Sequence, residues 1–183
     1  MNLKKYFFKK KILITGHTGF KGSWLLAWLQ SIGADVTGIA LEPPTNPSHF
    51  KYLNLSNRIE NIMLDIRNEY LVAKELKRIK PDYVFHLAAQ AIVTTSYQDP
   101  VKTWTTNLNG TINILNGLLK LKKKCYVVLV TSDKCYDNVE WVWGYRENDK
   151  LGGEDPYSAS KGATEIAIRS YVKSFFPKKT SLV

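Results

Sequence analysis

Cysteine, acidic charge and long apolar runs are all scarce in this chain. Its 183 residues hold two cysteines, Cys125 and Cys135. No secretory signal precedes them, so free thiols in a cytoplasmic protein are expected, with no disulfide framework and no metal site. No stretch reaches the ~18 apolar residues that a membrane-spanning helix needs. Residues 1–11 are basic around Tyr6, Phe7 and Phe8, too short for a signal-peptide core, and they run directly into an apolar strand. Asp and Glu number 16 against 26 Lys and Arg, a net charge of +10. The lysines are scattered singly or gathered at helix ends, as in 120–124, and are not interleaved with aromatics on one face. That is the pattern of a solvated surface and not of a nucleic-acid tract, although it would also draw in an anionic nucleotide. A hydrophobic content of 44% supports one sizeable core, so a single domain is expected over 1–183.

What the chain does have is a strand, a glycine turn and a helix in immediate succession. Ile12 to Ile14 is an apolar run, Gly16, Gly19 and Gly22 follow at even spacing, and Trp24, Leu25, Trp28 and Leu29 recur at helical period. A strand that turns sharply into a helix leaves unpaired N–H groups and the positive end of the helix dipole facing outward, which is an anion site. Gly16 suits the tight turn, Gly19 the approach of a diphosphate, and Gly22 the close packing of helix on strand. The alternative is a plain glycine-rich turn.

Strands and helices then alternate. Ala34 to Leu41 is expected as a second strand, and Glu42 just past it either holds a ribose or is solvated. Residues 50–59 form a short helix or an irregular stretch. Ile62 to Arg67 is expected as a third strand, with Asp65 at its carboxyl end placed to accept from an adenine amino group or to cap a helix. Glu69 to Lys80 carries Leu71, Val72, Leu76 and Ile79 on one helical face. Tyr83 to Gln90 is the fourth strand and its exit, where Ala88 and Ala89 would let a flat ring or diphosphate lie against the backbone. Residues 100–120 are expected as one helix with Trp104, Leu108, Ile112, Leu115 and Leu119 buried; Asn107 and Asn109 interrupt it and, like most helical asparagines, are expected at the surface. Cys125 to Thr131 is the fifth strand, apolar throughout as a central parallel strand should be. About twenty loop residues follow, with Tyr136, Trp141, Trp143 and Tyr145, and serve either a site or the cover of an edge. A helix runs from Pro156 to about Phe176, and Ser181-Leu-Val begins a sixth strand. This alternation predicts an α/β fold with a doubly wound parallel sheet in the order 3-2-1-4-5.

Tyr157 and Lys161 are four apart on one helical face. A phenol ionises near pH 10, so making half of it phenolate at pH 7 needs about 4 kcal/mol of differential interaction. A nearby ammonium and an oxidised nicotinamide would both push that way. Tyr-x-x-x-Lys occurs three times in the chain, at 6–10, 70–74 and 157–161, and the third alone follows a strand ending in a polar cluster, Thr131-Ser132-Asp133-Lys134. Ser132 there can hydrogen-bond the same reacting oxygen.

With the glycine turn, Ser132 and Tyr157-x-x-x-Lys161 together, the chain resembles the extended short-chain dehydrogenase/reductase family. Thr15-Gly-His-Thr-Gly-Phe-Lys-Gly-Ser-Trp, His86-Leu-Ala-Ala-Gln, Thr131-Ser-Asp-Lys-Cys-Tyr, Glu140-Trp-Val-Trp-Gly-Tyr-Arg-Glu and Asp155-Pro-Tyr-Ser-Ala-Ser-Lys narrow the likeness to its nucleotide-sugar 4,6-dehydratases. The resemblance implies a Rossmann domain, NAD as cofactor and CDP-glucose as substrate. It implies a catalytic set of Ser132, Asp133, Lys134, Tyr157 and Lys161: Tyr157 takes the proton from the sugar 4-hydroxyl, Lys134 the C5 proton, and Asp133 protonates the leaving 6-hydroxyl. Related dTDP-sugar enzymes carry a glutamate where Lys134 stands, and a lysine base would need its pKa lowered by Lys161 and the nicotinamide. The implied cofactor set is Gly16, His17, Thr18, Gly19, Phe20, Lys21 and Gly22 at the turn, Asp65 and Ile66 at adenine, Leu87, Ala88, Ala89 and Gln90 at the diphosphate and ribose, then Thr131, and Asn107 supporting the tyrosine. Such enzymes continue for roughly as many residues again, so the resemblance implies a fragment that lacks a sugar-nucleotide domain, turns over poorly or not at all alone, and belongs to a homo-oligomer when complete. A related dehydratase or sugar-nucleotide epimerase, or a non-catalytic NAD-binding module, are the alternatives.

Overall fold

The computed structural model describes residues 3–176 and the backbone of 181–182. A helical turn α1 (Lys4–Phe7) leads into β1 (Lys11–Thr15), α2 (Phe20–Ser31) and β2 (Asp35–Ala40). Next come α3 (His49–Tyr52), a 3-10 turn at Ser56–Arg58, β3 (Glu60–Met63), α4 (Glu69–Ile79) and β4 (Tyr83–His86). Then α5 (Val93–Gln98), α6 (Pro100–Trp104), a π turn at Thr105–Asn109, α7 (Gly110–Leu119) and β5 (Tyr126–Leu129) follow. A 3-10 turn at Asp133–Cys135, α8 (Pro156–Phe175) and β6 (Ser181–Leu182) complete the described chain. All pairings are parallel and the order is β3-β2-β1-β4-β5-β6, so the expected 3-2-1-4-5 sheet is present and gains a short sixth strand. Val183 lies outside the described residues.

The register aligns the carboxyl ends. One row of partners runs Ile62, Ile39, Thr15, His86, Leu129 across the sheet. Because every strand points the same way, Gly16, Leu41, Asp65, Leu87 and Val130 all emerge along one edge, where open α/β sheets bind ligands.

Two apolar layers sandwich the sheet. Leu13, Ile39, Val84 and Val127 face Leu76, Ile79, Ile114, Leu118 and Phe176 on one side; Ile12, Ile14 and Val36 face Leu26, Leu29, Phe50 and Leu55 on the other. The second layer stops short of β5, where Tyr126, Val128 and Val130 remain 37%, 38% and 42% exposed. Among the described residues the fifth strand is therefore covered on one face, where its unbroken apolar sequence suggested two.

Other expectations shift as well. Strand β3 ends at Met63, two residues before Asp65, so Asp65 lies in the turn that follows it. Trp24 and Trp28 share the period of α2 but lie on its outer side, against His49 and Phe7, while Leu26 and Leu29 fill the core. In the amino half of 100–120 the buried stripe is one residue away from the apolar one: Thr103, Asn107 and Thr111 are buried and Trp104 is exposed, whereas in the carboxyl half Leu115 is buried as expected, together with Ile114 and Leu118. The amino half of that stripe is polar and hydrogen-bonded, so hydrophobic periodicity could not detect it. The two cysteines are free, as expected; both are buried, and burial pushes the Cys125 thiol up to about 12. Among the described residues no helix is long and apolar enough to cross a membrane, and no acidic, His or Cys cluster could hold a metal.

Candidate active site

The corner after β1 is built almost wholly from backbone. Gly16 has φ +76°, and a Cβ there would fall 2.7 Å from the Ala88 nitrogen. A Cβ on Gly22 would meet the Gly16 carbonyl oxygen at 2.2 Å. Gly16 and Gly22 are thus required by the meeting of β1, α2 and the exit of β4. Helices α4, α6 and α8 begin with the capping carboxamide or carboxylate of Asn68, Asp99 and Asp155, whereas no side chain caps α2. Its first amides remain free to bind an anion. The Thr18 hydroxyl donates to the Leu41 carbonyl at 2.9 Å and ties this turn to the end of β2. Phe20 and Lys21 are exposed at the start of α2, and Glu42 is exposed past β2.

His17 is fully buried, against Phe50 and beneath Gly38. Its Nε2 lies 2.8 Å from Asn61 Oδ1, and its Nδ1 is buried with no hydrogen-bond partner. Burial lowers its pKa; the Asn61 hydrogen bond opposes this, as does the nearby Ile39 carbonyl, which falls short of hydrogen-bond geometry. The His17 side chain therefore serves the floor of the turn.

Past the end of β3, the Asp65 carboxylate is gripped by Arg67, with Nε and Nη2 at 2.9 and 2.6 Å from Oδ2, and Nε and the Arg67 N–H at 3.1 and 2.9 Å from Oδ1. That pairing holds its pKa below the usual carboxylate range. Ile66 is buried with its Cδ1 under Gly110, inside the core.

The corner after β5 is assembled from side chains of distant segments. Asp155 caps α8 by accepting from the Ser158 N–H at 2.9 Å, and Pro156 occupies the first helical position. This sets Tyr157 in the first turn, half-buried, with Lys161 one turn further on the same face. Lys161 is 5% exposed, with Nζ 3.5 Å from the Val130 carbonyl at the end of β5. Burial lowers its pKa to about 8, against the opposing pull of Glu165. Lys134 and Asp133 lie exposed on the turn beside it. Ser132 donates to Asp133 Oδ1 at 3.1 Å and accepts from the Lys134 N–H at 3.2 Å. A Cβ on Gly162 would meet the Gly152 and Cys135 carbonyl oxygens at 2.7 and 3.1 Å, so α8 lies directly on the turn that carries Ser132 to Lys134.

Asn107 is the hinge of this corner. Its side chain accepts from the Gln90 N–H at 2.8 Å, donates to the Gln90 carbonyl at 3.1 Å, and donates to Ser160 Oγ at 2.8 Å. Ser160 in turn donates to the Tyr157 carbonyl at 2.7 Å. At 1% exposure Asn107 is an interior residue, contrary to the surface expectation, and it sits in the π turn. Gln90 spends its own amide on Ile92 and Thr103. Thr131 donates to Glu165. Glu165 escaped sequence analysis although it lies four residues beyond Lys161 on the same face; His86, met there only as the first residue of a motif, is enclosed at the end of β4. The loop after residue 136 leaves and returns through a bridge between Tyr136 and Leu151, with Trp143 66% exposed at its outer part.

A family model described as GDP-mannose 4,6 dehydratase matches residues 13–179. The chain belongs to this family. CDP-glucose 4,6-dehydratase of Salmonella typhimurium is 47% identical over 94% of the chain and 48% of its own length. CDP-paratose 2-epimerase of Salmonella typhi is 30% identical over 90% of the chain and 54% of its own length. The dTDP-glucose 4,6-dehydratase of Streptomyces venezuelae, solved with NAD bound, superposes with a TM-score of 0.77 at 25% identity, covering 94% of the chain and 54% of that structure. The chain spans about half the length of the curated relatives it matches.

Proposed function

We propose that this chain is the NAD-binding half of a CDP-glucose 4,6-dehydratase that yields CDP-4-keto-6-deoxyglucose. The observation that carries the reading is the approach of the Gly16 turn to Ala88, in a space that a Cβ would fill, beside a helix whose first amides are uncapped. That cradle suits a diphosphate, and 47% identity to a CDP-glucose 4,6-dehydratase supports the choice of substrate. Bound NAD would supply a hydride acceptor for C4 of the sugar and a donor to C6. Tyr157 takes the proton of the 4-hydroxyl, with Lys161 holding positive charge beside it. The 4-ketone acidifies the C5 proton, which Lys134 removes, and Asp133 protonates the departing 6-hydroxyl so that it leaves as water. Ser132 hydrogen-bonds the oxygen at C4. The adjacent Asp133 and Lys134 favour dehydration over epimerisation, which needs no acid at C6. Residues beyond those of this chain would recognise the cytosine base and complete the oligomer, in the cytoplasm. The test is the complete protein with CDP-glucose deuterated at C4: loss of water with deuterium moved to C6 is expected, and Tyr157→Phe should abolish it. Deuterium retained at C4 in an epimerised product would overturn the assignment.

A further inference from the structure

A buried line of hydrogen bonds joins the two corners, and its direction can be read from the donors. Thr111 Oγ1 donates to the Asn107 carbonyl at 2.7 Å, which consumes its only proton. The contact of 3.0 Å between Thr111 Oγ1 and His86 Nε2 must therefore be donated by the ring. His86 is fully enclosed, with its pKa lowered to about 3 by burial and by Lys161, so the ring is neutral and Nδ1 carries no proton. Nδ1 accepts from Thr15 Oγ1 at 2.6 Å, and Thr15 Oγ1 accepts the Ala88 N–H at 3.2 Å. The line runs from the Ala88 amide that Gly16 abuts, through Thr15, His86 and Thr111, to Asn107. From there it passes through Ser160 to Tyr157. Every hydroxyl in it has one donor and one acceptor role filled, so no link can reverse alone.

We propose that His86, fixed as the Nε2–H tautomer, is a positioning residue that couples occupation of the glycine turn to the placement of the first turns of α8. The inference rests on the nucleotide-site reading above. It assigns His86 a role at a distance, through Thr111 and Asn107, and no contact with substrate.

ADP provides the test, because it can fill the glycine turn but has no second ribose or nicotinamide to touch Tyr157 or Lys161. In the 183-residue chain, nitrogen-15 spectra should show the His86 proton on Nε2, and ADP should slow amide exchange at residues 158–164 by at least about fivefold. Thr111→Val keeps the shape and loses the hydroxyl: ADP should bind within about threefold of the unaltered affinity, and the slowing should vanish. Thr111→Ser keeps the hydroxyl and should restore it, which a role in packing alone would not. A ring protonated at Nδ1, bound ADP without slower exchange, or slowing that survives in Thr111→Val overturns the coupling. Failure of ADP to bind the unaltered chain at all overturns the nucleotide site itself, and is told apart by the titration.

Discussion

The corner after β1 and the corner after β5 lie on the same sheet edge and are made in opposite ways. The first is contiguous: seven residues, Gly16 to Gly22, bring backbone onto backbone at distances where a single methyl group has no room. The second draws on β4, the π turn, β5 and α8, and is held by side-chain hydrogen bonds of Asn107, Ser160, Thr111 and His86. Damage to the first is steric; damage to the second is electrostatic and responds to pH. The comparison also explains why one histidine in each corner is buried to different effect. His17 has one ring nitrogen paired and one orphaned, whereas both nitrogens of His86 are engaged.

The largest expected effect breaks the second corner with acid. His86 is held near 3 in the folded chain and would titrate near 6.5 when unfolded, so the unfolded chain binds the extra proton between those values. Stability from this group is fully present above about pH 6.5 and is lost as pH falls toward 3, on the order of 5 kcal/mol in all. The portion lost between about pH 6.5 and 4.5 precedes protonation of the carboxylates, so urea midpoints across that window should fall, and should fall less in His86→Gln. Next, Gly22→Ala drives a methyl into the Gly16 carbonyl at 2.2 Å, where neither backbone can yield. It should cost about 3 kcal/mol by denaturant unfolding and abolish nucleotide binding, while Gly144→Ala, with nothing within 4 Å, should leave both unchanged. Asn107→Ala strands the Gln90 N–H and carbonyl and should cost about 2 kcal/mol in the same assay. Trp143→Ala, exposed in the long loop, should change stability by less than about 0.5 kcal/mol; a larger loss would mean that the loop packs into the second corner after all.

Legibility followed the same division. The glycine turn, the alternation of strands and helices, and the pairing of Tyr157 with Lys161 are local patterns, so a linear chain displays them. Asn107 was misplaced to the surface because its burial depends on Gln90 and Ser160, which are 17 and 53 residues away. Trp104 was misplaced to the core for the complementary reason: the stripe beside it is buried through Thr103, Asn107 and Thr111, polar residues with partners that no periodicity reveals. Asp65 was placed at a strand end by its apolar neighbours, although pairing with β2 stops at Met63. Glu165 obeys a local rule, four residues from Lys161, yet its link to Thr131 exists only once α8 lies on β5.

By itself the sequence determined the strand order, the glycine corner and the helical face that pairs a phenol with an ammonium, because sterics and periodicity act between near neighbours in the chain. Only the tertiary structure decided which polar groups are interior, how Lys161 comes to lie near 8, and which nitrogen of His86 carries the proton. Those depend on desolvation and on hydrogen-bond partners drawn from segments that meet only when the sheet has closed.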